Sequence, residues 1–174
     1  MVTAMEPQTT LVRRRVVGVV IGVLVIFAGG YVLTQLTDVG PHAGVPVQIY
    51  AYQPVLDLGE GGPQCSEDGM VAIERIVPRT KNSAYDAVRQ VLDGRLTVAE
   101  REEGLVTEFP LEGVHLKSVT ILNGTAVVAI DDPQFRTSGG ACRATIMRLQ
   151  VEKTLLQFPH ISAVRFEPES LFQP

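Results

Sequence analysis

The sequence predicts an α+β domain of two layers, a mixed β-sheet with helices on one face, preceded by one transmembrane helix. Three observations carry this expectation. Residues 16–37 hold no charge. Beyond them, segments with two-residue apolar alternation interleave with segments of helical spacing. A helical segment also separates a β-hairpin from the last strand, a crossing that implies partly parallel pairing.

The membrane segment comes first. Twenty-two uncharged residues from Val16 to Thr37 form a helix of about 33 Å, enough for a hydrocarbon core of roughly 30 Å. Arg13, Arg14 and Arg15 stand directly before it, and no Lys or Arg follows until Arg75. The positive-inside rule places residues 1–15, a short basic segment, in the cytoplasm, and everything beyond residue 37 outside the cell membrane. A cleaved signal peptide is the rival reading, with Ala28-Gly29-Gly30 as small residues for cleavage. Apolar character continues through Leu33 and Leu36, which favours an uncleaved single-pass anchor. Residues 38–44 form a Gly/Pro linker, and residues 45–174 the extracytoplasmic domain.

Within that domain, Val45, Val47, Ile49 and Ala51 alternate along a first strand, 45–52. Residues 53–69 are a long Gly/Pro-punctuated loop carrying Cys65, and residues 70–77 a second strand stopped by Pro78. Ser83 caps a helix, Asp86 completes a capping box, and Gly94 ends it. Thr97 and Glu100 repeat the box for a shorter helix closed by Gly104. The two-residue turn Asn123-Gly124 joins strands 114–122 and 125–130 in a type I′ hairpin. Thr137-Ser138-Gly139-Gly140 opens the longest helix, 141–158, with Ser138 as its cap and Pro159 as its stop. One stripe of that helix (Ala144, Met147, Val151, Leu155, Phe158) faces a sheet. A second stripe (Cys142, Ile146, Leu149, Leu156) needs another cover, for which the 53–69 loop is the first candidate and a partner protein the second. A last strand runs from Ala163 to Glu167.

Charge and cysteine usage narrow the function. Residues 1–36 hold three Arg against one Glu, a balance of +2, and residues 37–174 hold twelve Lys/Arg against eighteen Asp/Glu, a balance of −6. So acidic a domain argues against nucleic acid as a partner. Two Cys and three His rule out multi-Cys zinc modules and iron–sulfur sites, and no cofactor is expected. Cys65 and Cys142 are the only cysteines, both on the outer side, where an oxidising compartment lets a disulfide close. The alternative is a pair of free thiols. Ser138, Gly139 and Gly140 at a helix N-terminus then form a possible anion site, where Cys142 could act as a thiol nucleophile with His115 or His160 as base. Asp131-Asp132 and Glu67-Asp68 lack the spacing of a calcium loop and read as solvated turns; no metal is expected. Glu100, Glu102 and Glu103 read as a wet helix face. Phosphate-loop and nucleophile-elbow patterns are missing.

Phe109-Pro110, the Asn123-Gly124 hairpin, the strand from Val127 to Asp131 and the run Thr154-Leu155-Leu156-Gln157-Phe158-Pro159, followed by Val164 and Phe166, make a recognisable series. In these residues the chain resembles the GerMN domain family, over about residues 45–168. The resemblance implies a GerMN-like fold and a non-enzymatic module of the bacterial cell envelope, sporulation- or germination-like, whose residues at these positions cap, pack and turn. Its implied partners are other envelope proteins or cell-wall-associated assemblies. Two alternatives stay open: a thiol-dependent oxidoreductase using Cys142, and a receptor for a wall polymer or small ligand.

Overall fold

A computed structural model describes residues 44–174. The basic segment with Arg13, Arg14 and Arg15, the apolar run 16–37 and nearly all of the linker lie outside the described residues. Among the described residues, no helix is long and apolar enough to cross a membrane.

Strand β1 (Val45–Tyr52) pairs antiparallel with β4 (Met70–Val77) in unbroken register from Val45–Val77 to Tyr52–Met70. Alternation decides which face is covered: Val47, Ile49 and Ala51 are buried, whereas Pro46 and Gln48 are exposed. Between them lie two short pieces, β2 (Leu58–Gly59) and β3 (Gly62–Pro63), paired with each other. Strands β5 (His115–Leu122), β6 (Thr125–Asp131) and β7 (Ala163–Glu167) form a separate sheet in the order β5-β6-β7. β5–β6 is antiparallel and β6–β7 parallel, so this sheet is mixed, as the crossing helix requires. Leu122 faces Thr125 across Asn123-Gly124, whose φ values of 49° and 79° are the positive pair a type I′ turn needs.

The expected single sheet is therefore two main sheets, beside the small β2–β3 pair. The cause lies in helix α3 (Ala141–Leu156), which closes the free edge of β1 with side chains. The Gln157 amide just beyond its end donates to the carbonyl of Gln48 (2.6 Å) and accepts from its N–H (2.7 Å). Thr154 Oγ1 accepts from the Tyr50 N–H (3.2 Å), and Gln150 Nε2 donates to the Tyr50 carbonyl (3.1 Å). Tyr52 continues the same edge by exchanging both backbone bonds with Val106 (3.0 and 2.7 Å). With Gln48, Tyr50 and Tyr52 satisfied in this way, most of the edge of β1 that faces away from β4 is occupied.

At about 100° per residue, Gln150, Thr154 and Gln157 share one row, roughly midway between the two apolar stripes of α3. The first stripe packs into the main core with Ile49, Val88, Val128 and Phe166. Helix α3 ends at Leu156, two residues short of expectation, and Phe158 is only half-buried.

Helix α1 (Ser83–Asp93) buries Ala84, Ala87, Val88 and Val91. Its cap is Asn82, whose side chain accepts from the Tyr85 N–H (3.0 Å), not Ser83, which is the first helical residue. Asp86 closes no capping box; it is buried and accepts from the Thr80 hydroxyl. Gly94 ends the helix at φ 60°, and a Cβ there would stand 2.0 Å from the Phe109 carbonyl oxygen. Helix α2 (Val98–Glu102) has the Thr97–Glu100 capping box complete. Glu100 departs from the wet face expected of it. It takes both arms of the Arg75 guanidinium (2.8 and 2.7 Å), which hold its carboxyl below the usual carboxylate range against the cost of burial. At the C-terminus, Leu171 and Phe172 return to the core, with Phe172 edge-on to Phe166 at 4.9 Å.

Candidate functional site

The 53–69 loop gathers a disulfide, a buried carboxylate and their hydrogen-bond partners. Cys65 and Cys142 are disulfide-bonded with Cα atoms 5.2 Å apart, which fixes the loop to the first turn of α3. Beneath the bond, Cys65 packs with Tyr52 and Ile146, and Met70 lies against them. The loop thus covers Ile146 of the second stripe, while Leu156 at its far end stays exposed.

Asp57 organises the interior of the loop. It ends a 3₁₀ turn, Pro54–Asp57, and its carboxylate is buried. Oδ2 accepts from the Tyr52 hydroxyl (2.7 Å) and the Ser66 N–H (2.7 Å), and Oδ1 accepts from the Ser66 hydroxyl (2.5 Å). Its carbonyl accepts from the Gln64 N–H (2.8 Å). The Ser66 hydroxyl foremost, then the Ser66 N–H, the Tyr52 hydroxyl and the Cys65 N–H, hold the Asp57 carboxyl below its ordinary range despite desolvation. Burial, then the same hydrogen bond and the Asp57 charge, push the Tyr52 phenol up. Ser66 also caps a second 3₁₀ turn, Glu67–Gly69. A Cβ on Gly69 would lie 2.2 Å from the Tyr52 ring, so only glycine lets the ring lie there. Lys153 of α3 pairs with Glu67 and ties the loop down a second time.

This bracing presents an apolar crest. Val55, Leu56 and Leu58 are 63%, 56% and 62% exposed, three large apolar side chains within four residues. Loops that expose such side chains are ordinarily free to fold them inward; here the disulfide and the Asp57 bonds hold the backbone. Loop 53–69 contains no Lys or Arg, and its acidic residues are Asp57, Glu60, Glu67 and Asp68. The crest was readable in principle as three aliphatic residues inside a Gly/Pro loop. The Asp57–Tyr52–Ser66 network was not, since one Asp, one Tyr and one Ser fit no spacing rule.

The helix N-terminus differs from expectation. Gly140 is the residue preceding α3, at φ 72°, and makes no side-chain cap, so Ser138 does not cap. The Ser138 N–H donates to the Phe135 carbonyl, and its own carbonyl accepts from Arg143 Nη1 (2.9 Å). Arg143 also reaches the Arg136 carbonyl (2.9 Å) and Glu108 (3.0 Å), which spends the local cation on partners within the chain. Both cysteine sulfurs are in the bond, so no thiol stands beside Gly139 and Gly140. Neither His115 nor His160 has a thiol to act on, because the Cys142 sulfur is in the disulfide. His115 opens β5 opposite Asp131, and His160 lies against Phe158 beyond the far end of α3, roughly 20 Å along the helix.

The acidic pairs also have other work. Asp131 pairs with Lys117 (2.7 Å) beside a bulge in β5. Asp132 accepts from the N–H groups of Arg136 and Thr137 and from the Thr137 hydroxyl, shaping the 132–137 turn. Against its own desolvation, those Thr137 and Arg136 donors hold the Asp132 carboxyl low. Among the described residues, no cluster of three or more His, Cys, Asp or Glu is placed to hold a metal.

The sequence pattern of the Germane family, described as sporulation and spore germination, matches residues 60–169. The chain belongs to the Germane family. Its fold is similar to the tandem GerMN domains of the sporulation protein GerM from Bacillus subtilis, with a TM-score of 0.53 at 19% identity. That similarity covers 75% of this chain and 42% of the tandem structure, so the chain spans less than half of that protein's length. The first GerMN domain of the same protein is similar with a TM-score of 0.50 at 18% identity, over 73% of this chain and 86% of that domain. None of the curated proteins matches the chain. The Germane match takes in residues 60–69 of the braced loop, the hairpin, α3 and β7, whereas β1 and the whole crest precede it.

Proposed function

We propose that this Germane-family chain is a membrane-anchored, non-enzymatic extracytoplasmic module that acts by protein–protein contact at the cell envelope. Its contact surface is the crest of Val55, Leu56 and Leu58. The observation that carries the reading is rigidity combined with exposure. Interfaces draw most of their energy from a few apolar anchors held in place before binding, and ordering them beforehand removes part of the entropic cost. Burying each crest side chain is worth roughly 1.5–3 kcal/mol. Attachment to the bilayer through residues 16–37 rests on the apolar run and its three preceding arginines.

The test is crosslinking of the full chain in its native membrane, comparing the unaltered protein with a Val55→Ser/Leu56→Ser/Leu58→Ser variant. Near-ultraviolet circular dichroism of both checks that the core is unchanged. Loss of specific crosslinked proteins in the variant supports the reading. An identical set of crosslinked species in both overturns the crest as the contact surface.

A further inference from the structure

We infer that the end of the domain where β1 begins binds the anionic headgroups of the bilayer, as a foot that holds the crest away from the membrane. The inference rests on the reading of residues 16–37 as the anchor. Residues 38–43 separate that run from Gly44, and fully extended they bridge at most about 25 Å. The start of β1 is thereby kept close to the bilayer surface.

Four segments meet at this end. Val45 pairs with Val77 at the end of β4, and Gln157 just beyond α3 bonds Gln48. Asn82, the cap of α1, donates to the Val119 carbonyl of β5 (2.9 Å). The Ser162 N–H donates to the Gly124 carbonyl of the hairpin turn (2.8 Å). Residues 44–47, 76–85, 119–125 and 156–163 contain no Asp or Glu, although residues 37–174 hold eighteen. β1, α1 and β6 all begin here, and twelve of those eighteen lie where they finish, in 53–69, 93–112 and 131–132. Arg79 and Lys81 are exposed and have no carboxylate partner among the described residues. Asp86, the next acidic residue along the chain, is buried, accepts from the Thr80 hydroxyl and faces Arg89. Ile76, Leu122 and Leu156 are large apolar side chains exposed at the same end.

Unpaired cations among exposed aliphatic side chains suit one surface, an anionic bilayer. The cations meet lipid phosphates, and the apolar groups enter the headgroup boundary. A domain with six more acidic than basic residues is repelled by such a surface through its other faces, and only this end escapes the repulsion. The eight residues of β1 then set the crest roughly 23 Å beyond the foot, within reach of proteins and clear of lipid.

The experiment reconstitutes the full chain in vesicles of phosphatidylcholine, with or without phosphatidylglycerol, carrying nitroxide on some headgroups. The protein has no tryptophan, so Leu122→Trp reports on the foot and Leu56→Trp on the crest. Each cation near an anionic surface is worth about fivefold in the contact equilibrium, so phosphatidylglycerol should deepen quenching of Leu122→Trp at least about twofold. Leu56→Trp should stay bright. Arg79→Gln with Lys81→Gln should abolish the gain, with near-ultraviolet circular dichroism unchanged. Equal quenching of Leu122→Trp in both vesicles, equal quenching of the two probes or indifference to the double substitution overturns the inference. So does an unquenched Leu122→Trp in a chain that crosslinks to itself through Lys81, which places a second copy on the foot. Carbonate extraction of the same vesicles reports on the anchor separately. A chain retained with Leu122→Trp unquenched overturns the foot and keeps the anchor. One that is extracted, yet was quenched beforehand, overturns the anchor and keeps the foot.

Discussion

Replacing both cysteines, Cys65→Ala with Cys142→Ala, removes a crosslink between residues 77 apart in sequence. In the loop-entropy treatment, a bridge of that span restricts the unfolded chain by about 15 cal/mol/K, or roughly 4.5 kcal/mol at 25 °C. Packing adds little, because Cys142 is exposed and alanine fills most of the space of Cys65, which is 8% exposed. For a domain of this size the loss corresponds to a fall of roughly 15–20 °C in Tm. Urea denaturation of the full chain in micelles reads it out by tyrosine fluorescence, since the protein has no tryptophan. Hydrogen exchange should show the loss concentrated first in residues 53–69, whose second tie, Lys153–Glu67, is a solvent-exposed ion pair of small worth. A change below about 1 kcal/mol with the loop amides still protected would refute the reasoning, because the Asp57 bonds alone would then suffice.

The remaining predictions concern single groups. Gln150→Leu leaves the half-buried Tyr50 carbonyl without its donor and should cost about 1 kcal/mol or more in urea denaturation. Gly94→Ala places a Cβ against the Phe109 carbonyl at positive φ and should cost more than about 1 kcal/mol, measured the same way. Asp57 is held low by its donors, so its contribution is complete above the unfolded carboxylate pKa of about 4 and is lost as pH falls through the lower folded value. Tyr52 is pushed up, so its contribution is complete below about pH 10 and is lost as pH rises beyond that. Exchange protection of the 53–69 amides should fall beyond each limit, and an Asp57→Asn variant should show weaker protection of the same amides already at pH 7.

Much of the chain announces its own structure. The Asn123-Gly124 turn, the Thr97–Glu100 box and the Gly94 stop are local devices whose partners lie within a few residues, and each forms where the sequence places it. The parallel pairing of β6 with β7 follows from connectivity alone. The cap of α1 was harder: Asn82 and Ser83 are adjacent, and the bond from the Tyr85 N–H to the Asn82 side chain selects Asn82 over the expected Ser83. The division into two sheets was not legible, because the contacts that decide it join Gln48 and Tyr50 to residues about 100 positions away. Gln150, Thr154 and Gln157 look like ordinary polar positions of a two-faced helix. The loop was legible as a loop and as the cover of Ile146, whereas the polar network inside it depends on Tyr52 and Ser66 meeting around Asp57.

Helix α3 is gripped at three azimuths at once: the core stripe, the polar row on β1 and the sulfur bridge near its first turn. A one-residue insertion or deletion between Ala144 and Gln150 would turn one part of the helix by about 100° against the other, and no rotation could then satisfy all three. The rod is thus phase-locked, free to exchange side chains of equal shape but closed to any change of length. Growth or shrinkage of the polypeptide is confined to its turns, where an extra residue shifts nothing that the helix must keep aligned.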